Sequence, residues 1–410
     1  MRGDRPGRLP AAFFVTLGFI QAIWPLTMDL YLPSFPQIER EFATSPSFVQ
    51  FTLTGAFIGM ACGQVIAGPL SDRVGRIRPL LVALVLYAAA STGCAVAPSI
   101  EVLVGLRLVQ GIGAAATAVI ILAIVRDRAE GAVMVKLLAR LQLVNGVFVV
   151  ASPALGAQLL RLTDWRGLFW LLVAYGCALL IAALLVLARH ETNPPARRAL
   201  REKARLRDDY RALAGDRLYR SAIGAGALQW AAMMSYMASS AFLFQGVFGL
   251  DPTQYAIVFG GHGALMIAGA QISARLAGRI DVTALARGGT LVLFGTAGVL
   301  LIGLIAAPGL GLLGFLIPLF AFTTTFGVIS PTLQSTALRH HGVRAGAAAS
   351  LIGATNMVAG ALAAPLVGVF GVTSPVPAAA VMTVCAGLSA VVLLIGFRRP
   401  RAIEPASAPI

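Results

Sequence analysis

Residues 190–217 read HETNPPARRALREKARLRDDYRALAGDR, the one long polar segment in a chain of 410 residues. It opens on Pro194-Pro195 and continues as a charged run that suits a surface helix, so it reads as a solvated connector. On either side the sequence is one apolar run after another. Before it, runs lie at 11–34, 48–70, 79–97, 101–125, 138–161 and 166–189; after it, at 218–247, 254–279, 288–307, 310–337, 345–370 and 376–397. Each has about the ~20 residues that a helix needs to cross a bilayer. A backbone in lipid must satisfy its own hydrogen bonds, so every run is expected to be helical. The expected fold is an all-α membrane protein with twelve transmembrane helices in two six-helix lobes. The N-terminal lobe covers 1–189, a cytoplasmic linker 190–217, the C-terminal lobe 218–397 and a cytoplasmic tail 398–410.

Composition agrees. Hydrophobic residues make up 58% of the chain and charged residues 12%, against ~25% charged in soluble domains. Mean hydropathy is +0.83. Soluble enzymes and nucleic-acid-binding proteins are excluded as leading ideas. The net charge of +15 collects in alternate gaps between runs. Arg2, Arg5 and Arg8 precede the first run, Arg73, Arg76 and Arg78 follow the second, and Arg126, Arg128, Lys136 and Arg140 follow the fourth. The intervening gaps hold little beyond Arg40, Arg161 and Arg166. This is the positive-inside pattern, and it places both termini in the cytoplasm. Anionic lipid headgroups are a secondary partner for the excess charge; nucleic acid is not. The run from Ala11 to about Leu32 is longer than a signal h-region, and reads as an uncleaved first span. The four cysteines, Cys62, Cys94, Cys177 and Cys385, lie far apart inside apolar runs with no metal-ligand spacing. No metal, cofactor or structural disulfide is expected.

Two charges stand within the apolar runs. Asp29 lies in WPLTMDLYLPSFP and Arg107 in VGLRLVQGIGAAATA. A charge in lipid is costly, so it faces the bundle interior and belongs to an ion or substrate path. Asp29 is five residues before Ser34, about 8 Å from the outer end at 1.5 Å per residue, and Arg107 is six after Glu101, about 9 Å from the same side. A static ion pair is one reading of this match. The other is a proton-exchanging carboxylate tuned by burial and by the approach of Arg107. Gln110 stands one turn from Arg107 and can hold its guanidinium, while Gly111 and Ala115 suit close helix packing. Pro153 and Gly156 in the fifth run create either a swivel or simple curvature. In the short second gap, Gly68, Asp72, Arg73, Gly75 and Arg76 allow a tight turn, with Asp72 able to cap a helix N-terminus or latch an inner gate together with Arg126.

The set of motifs resembles a known family. Gly68-x-x-x-Asp72-Arg73-x-Gly75-Arg76 is similar to the inner-loop signature of the major facilitator superfamily, and Arg107-x-x-Gln110-Gly111 to its fourth-helix motif. Thr27-Met28-Asp29-Leu30-Tyr31-Leu32-Pro33 resembles the first-helix signature of the bicyclomycin and chloramphenicol resistance branch of drug:proton antiporters, and Trp165-Arg166-x-x-Phe169-Trp170 fits the same branch. Ser152-Pro153-Ala154-Leu155-Gly156-Ala157 keeps part of the fifth-helix antiporter motif. The resemblance implies proton-coupled efflux of small amphipathic drugs across the bacterial inner membrane by a monomer, with proton and drug as partners. Symport or metabolite export in the same fold is the alternative, and a receptor or scaffold has no use for charges at matched depth. Proton coupling falls to Asp29 and Arg107. Trp24, Tyr31, Gln110, Asn145, Gln229, Tyr236, Gln245, His262 and Asn356 are the expected cavity residues, each of them a helix-contact residue in the alternative reading. No nucleotide-binding loop is seen, which leaves an ion gradient as the energy source.

Overall fold

The computed structural model describes residues 11–129, 131–188, 190–193, 206–276, 279–307, 309–339, 341 and 345–396. The N-terminal basic cluster, Pro194-Pro195, Gly278 and the tail lie outside these. The first span is not one helix. It comprises α1 (Ala11–Gln21), α2 (Ile23–Asp29), a 3-10 turn (Leu32–Ser34) and α3 (Phe35–Glu41). Prolines set these breaks. Pro25 cannot donate to the Gln21 carbonyl, nor Pro33 to the Asp29 carbonyl, each four residues back, so a helix ends at each acceptor.

The N-terminal lobe continues with α4 (Pro46–Val74), α5 (Ile77–Ala95), α6 (Ile100–Arg128), α7 (Gly131–Leu159) and α8 (Trp165–Ala182). A short α9 (Leu206–Gly215) lies in the linker. The C-terminal lobe holds α10 (Arg217–Ala241), α11 (Pro252–Leu276), α12 (Val282–Ala306), α13 (Gly311–Leu338), α14 (Ala345–Val369) and α15 (Val376–Gly396). Side chains mark several starts: Ser99, Asp164, Asp216 and Asp281 accept from backbone N–H groups in the first turns of α6, α8, α10 and α12. Gly75, at φ 108°, ends α4 in a conformation closed to residues with a Cβ.

Among the described residues, eleven helical stretches, the broken first span counted as one, are long and apolar enough to cross a membrane. The twelfth, α10, has 25 residues, about 37 Å at 1.5 Å rise, and turns its polar groups inward, with Gln229, Ser235, Ser239 and Ser240 buried. Outward-facing apolar residues such as Leu185, Ile257, Leu313 and Val369 stay exposed, as a lipid solvent requires. Within the lobes, α4 packs on α6 and α10 on α14 and α15. A Cβ at Gly111 would overlap the Ala56 carbonyl, and one at Gly59 the Leu108 carbonyl, so these glycines set how closely α4 and α6 approach.

The lobes meet along two seams, α4 against α14 and α7 against α11. Gln50 Nε2 donates to the Ala238 carbonyl (3.2 Å), Thr54 Oγ1 to Ala361 (2.8 Å) and Gln245 Nε2 to Pro33 (2.9 Å). Arg161 of the first lobe donates to Thr253 Oγ1 of the second at 2.8 Å.

Candidate functional site

Arg107 is fully buried inside the N-terminal lobe. One Nη donates to Gln110 Oε1 at 2.5 Å and the other to the Thr27 carbonyl at 3.0 Å. The guanidinium carbon stands 4.2 Å from the Tyr31 ring centroid, a cation–π contact. Gln110 then donates to Ser91 Oγ (2.7 Å), Thr27 Oγ1 donates to the Tyr87 hydroxyl (2.9 Å), and Tyr31 Oη meets Thr52 Oγ1 at 3.0 Å. This polar knot ties α2 to α4, α5 and α6. Gln110 and Tyr31 are committed to it, which turns them away from the expected cavity.

Asp29 is not part of the knot. It is 5% exposed, and no ion pair joins it to Arg107. Residue counts put both charges at one depth, but two residues of helix rotate a side chain by about 200°. The Thr27 carbonyl therefore meets Arg107, while the Asp29 carboxyl is set apart from it, in a segment whose next turn bonds across to Gln245 of the other lobe. Asp29 accepts no hydrogen bond from any described residue.

The α7 motif braces this point. A Cβ on Gly156 would overlap the Leu30 carbonyl, so only glycine lets α7 reach the place where α2 ends, beside Asp29. Pro153 lies one turn earlier and is buried. The pattern Pro365-x-x-Gly368 in α14 repeats Pro153-x-x-Gly156, and Gly368 packs on Ser47 and Gln50 of α4. That second copy was legible in the sequence and was missed.

The remaining expected cavity residues divide. Trp24 and Trp230 approach across the lobes, 6.5 Å between centroids, with Trp24 Nε1 on Met60 Sδ. Asn145 and Asn356 each bury a side-chain oxygen that has no partner. Tyr236 and His262 are in ring contact at 5.2 Å. Gln245 closes a seam through Pro33. Gln229 is the clear departure. It donates to Thr290 and Ser389 inside the C-terminal lobe, because its position on α10 faces α12 and α15.

A second polar cluster closes the end of the bundle at the α4–α5 turn. Buried Arg76 pairs with Asp72 (2.7 Å) and, through Nε, with Asp127 of α6 (2.8 Å). A carboxylate caps the turn as expected, but the acceptor is not Asp72. Glu191, the second residue of the linker, accepts from the backbone N–H groups of Arg76 (2.9 Å) and Ile77 (3.1 Å) at the start of α5. Thr192 donates to Asp127 and Asn193 to the Asp72 carbonyl. The linker therefore begins as a clip on the turn, whereas its charge alone suggested a solvated connector. Arg73 is exposed at this end and Gly68 lies on the α6 side of α4, near Val119. Arg126 reaches across to the start of α14, 3.7 Å from where a Cβ on Gly346 would stand.

Residues 17–364 match the Major Facilitator Superfamily. The chain belongs to that superfamily. Among its relatives, an uncharacterized transporter of this superfamily, YdgK of Bacillus subtilis, is 33% identical over 92% of this chain and 93% of its own length. A bicyclomycin resistance protein homolog of Haemophilus influenzae is 26% identical, with 92% and 94% covered. The multidrug resistance protein MdtL of Escherichia fergusonii is 26% identical, with 92% and 93% covered. Among solved structures, a D-xylose-proton symporter superposes with a TM-score of 0.74 at 15% identity, covering 93% of this chain and 97% of that one. This last likeness shows the superfamily fold alone. The chain is thus a multi-pass membrane transporter by family, with drug-resistance proteins among its relatives.

Proposed function

We propose that the chain exports small amphipathic drugs, phenicol- or bicyclomycin-like, across the bacterial inner membrane in exchange for protons. One observation carries the reading: a carboxylate, Asp29, buried just before the turn that borders the seam between the lobes, with nothing among the described residues to neutralise it. The acid form suits such a dry seam and the ion suits a wetted cavity, so motion that wets and dries the site loads and releases a proton. Arg107 is assigned a supporting part, fixing the backbone of α2 from behind so that Asp29 keeps its outward aim. The names of the relatives support drugs as cargo. Pro153 and Gly156 form the pivot against α2, and Asp72, Arg73, Arg76 and Arg126 form the gate. The protein works as a monomer in lipid, without a cofactor. Inward symport in the same fold predicts drug movement with the proton gradient, and is separated by the transport test below.

Two tests apply to the frame of this proposal. The alternation of basic and uncharged gaps places both termini in the cytoplasm. A single cysteine at 205 or 400 should react only with reagent on the cytoplasmic side, and one at 251 only from the periplasm. Cytoplasmic labelling of position 251 would reverse the topology. At the gate, Glu191→Ala removes a cap worth about 0.5–2 kcal/mol, and Asp72→Ala removes a partly exposed ion pair worth up to about 1 kcal/mol. Each should slow turnover several-fold while drug affinity stays within a few-fold. Equal loss of rate and affinity, or of neither, would remove the cluster from gating.

A further inference from the structure

Tyr236 on α10 and His262 on α11 are 1% and 2% exposed, and neither makes a side-chain hydrogen bond to any described residue. The Tyr236 hydroxyl and His262 Nδ1 are both sealed from solvent without a partner, although the rings touch, 5.2 Å between centroids and 54° apart. Their neighbours are satisfied. Ser235 and Ser239 bond to carbonyls of α10, and Ser240 meets the Tyr255 hydroxyl at 3.0 Å. Asn145 and Asn356 also bury an unpartnered oxygen, but Tyr236 and His262 are two unpartnered groups whose rings touch. Buried polar side chains almost always find partners, and an adjacent pair that finds none asks for a specific explanation.

The position of the pair supplies one. The 3-10 turn that follows Asp29 packs against both α10 and α11, and Gln245, in the π-helical turn Phe242–Val247 after α10, bonds to Pro33 of the 3-10 turn. The pair thus stands in the C-terminal lobe on the two helices that pack against the turn following Asp29. Phe259, 5.3 Å from the His262 ring, and Phe244, 6.4 Å from the Tyr236 ring, supply apolar walls.

We propose that Tyr236 and His262 are the hydrogen-bonding anchor of the substrate site, and that they take an uncharged group carrying a donor and an acceptor together, a secondary amide or an alcohol. The inference rests on the drug-export reading. The phenol donates to the carbonyl or hydroxyl oxygen, and the unprotonated imidazole nitrogen accepts the N–H or O–H. A ligand without such a group leaves both atoms unpaired in an apolar setting, and a site built this way rejects it. Asp29 keeps its proton role on the facing wall, so recognition and coupling reside in different side chains.

Chloramphenicol, which has a secondary amide and two hydroxyls, serves as the probe, with the purified full chain and equilibrium binding. Tyr236→Phe is expected to weaken its binding about tenfold, the loss of one hydrogen bond, while the melting temperature of the ligand-free protein does not fall. Removing an unpaired buried hydroxyl gives up no internal contact. His262→Phe should give the same two readings, and stands in if the first variant does not fold. Binding that survives both substitutions overturns the inference alone, and leaves drug export intact. Weakened binding with a lowered melting temperature also overturns it, because the groups then serve internal packing. Wild-type protein that does not bind chloramphenicol overturns the phenicol reading and this inference with it.

Discussion

Asp29→Asn is expected to abolish drug export driven by a pH gradient, while the protein still folds and still binds neutral drug. The amide keeps the shape and polarity of the carboxyl but cannot exchange a proton. Asp29 has no ion pair and no hydrogen bond to lose, so the substitution breaks nothing else in the described structure. Stability should hold, because the amide matches in size and polarity the neutral acid that suits the dry seam. Drug counterflow, which needs no net proton movement, should persist in the variant. Export against a gradient at the wild-type rate would make Asp29 structural, and would direct the search for the proton site to His262.

Arg107→Ala is expected to be the more damaging substitution, for a different reason. It strands the Thr27 carbonyl and Gln110 Oε1, and it removes the cation beneath Tyr31. Hydrogen bonds to a buried charge are worth about 1.5–3 kcal/mol each, so a loss of about 3 kcal/mol or more is expected, seen as a lowered melting temperature in detergent. Transport should fall with it, because α2 ends at Asp29 and its carbonyls are held from behind. Arg107→Lys should recover part of both, since an ammonium cannot span two acceptors and stack on a ring at once. The counter-result is an Arg107→Ala protein of wild-type stability that has lost only its proton dependence. Arg107 would then act directly on the proton.

The fold could be read from the alternation of apolar runs and basic gaps because the bilayer imposes one length and one backbone on every span. What periodicity hid is local. The first run is uniformly apolar, and only Pro25 and Pro33 show that its helix stops at Gln21 and again at Asp29. Depth along an axis could be counted from residue numbers and placed Asp29 level with Arg107, but depth carries no azimuth. The two-residue step from Thr27 to Asp29 decides which of them meets Arg107. Gln229 and Gln110 looked like cavity residues by type, yet a polar side chain in lipid finds its partners inside a lobe as readily as at a substrate. Glu191 could not be found from sequence, because its partners at Arg76 and Ile77 lie more than a hundred residues earlier and its own surroundings are charged. The Pro-x-x-Gly repeat of α14 was available and needed only comparison with α7.

The most direct measurement is uptake of labelled chloramphenicol into proteoliposomes with an imposed pH gradient. With an acidic lumen and alkaline bath, protons leaving should drive drug inward, to a level above the bath concentration. A protonophore should collapse that accumulation, and Asp29→Asn should show none of it. Drug accumulation that ignores the gradient, or that requires protons to enter together with the drug, would contradict proton-for-drug exchange.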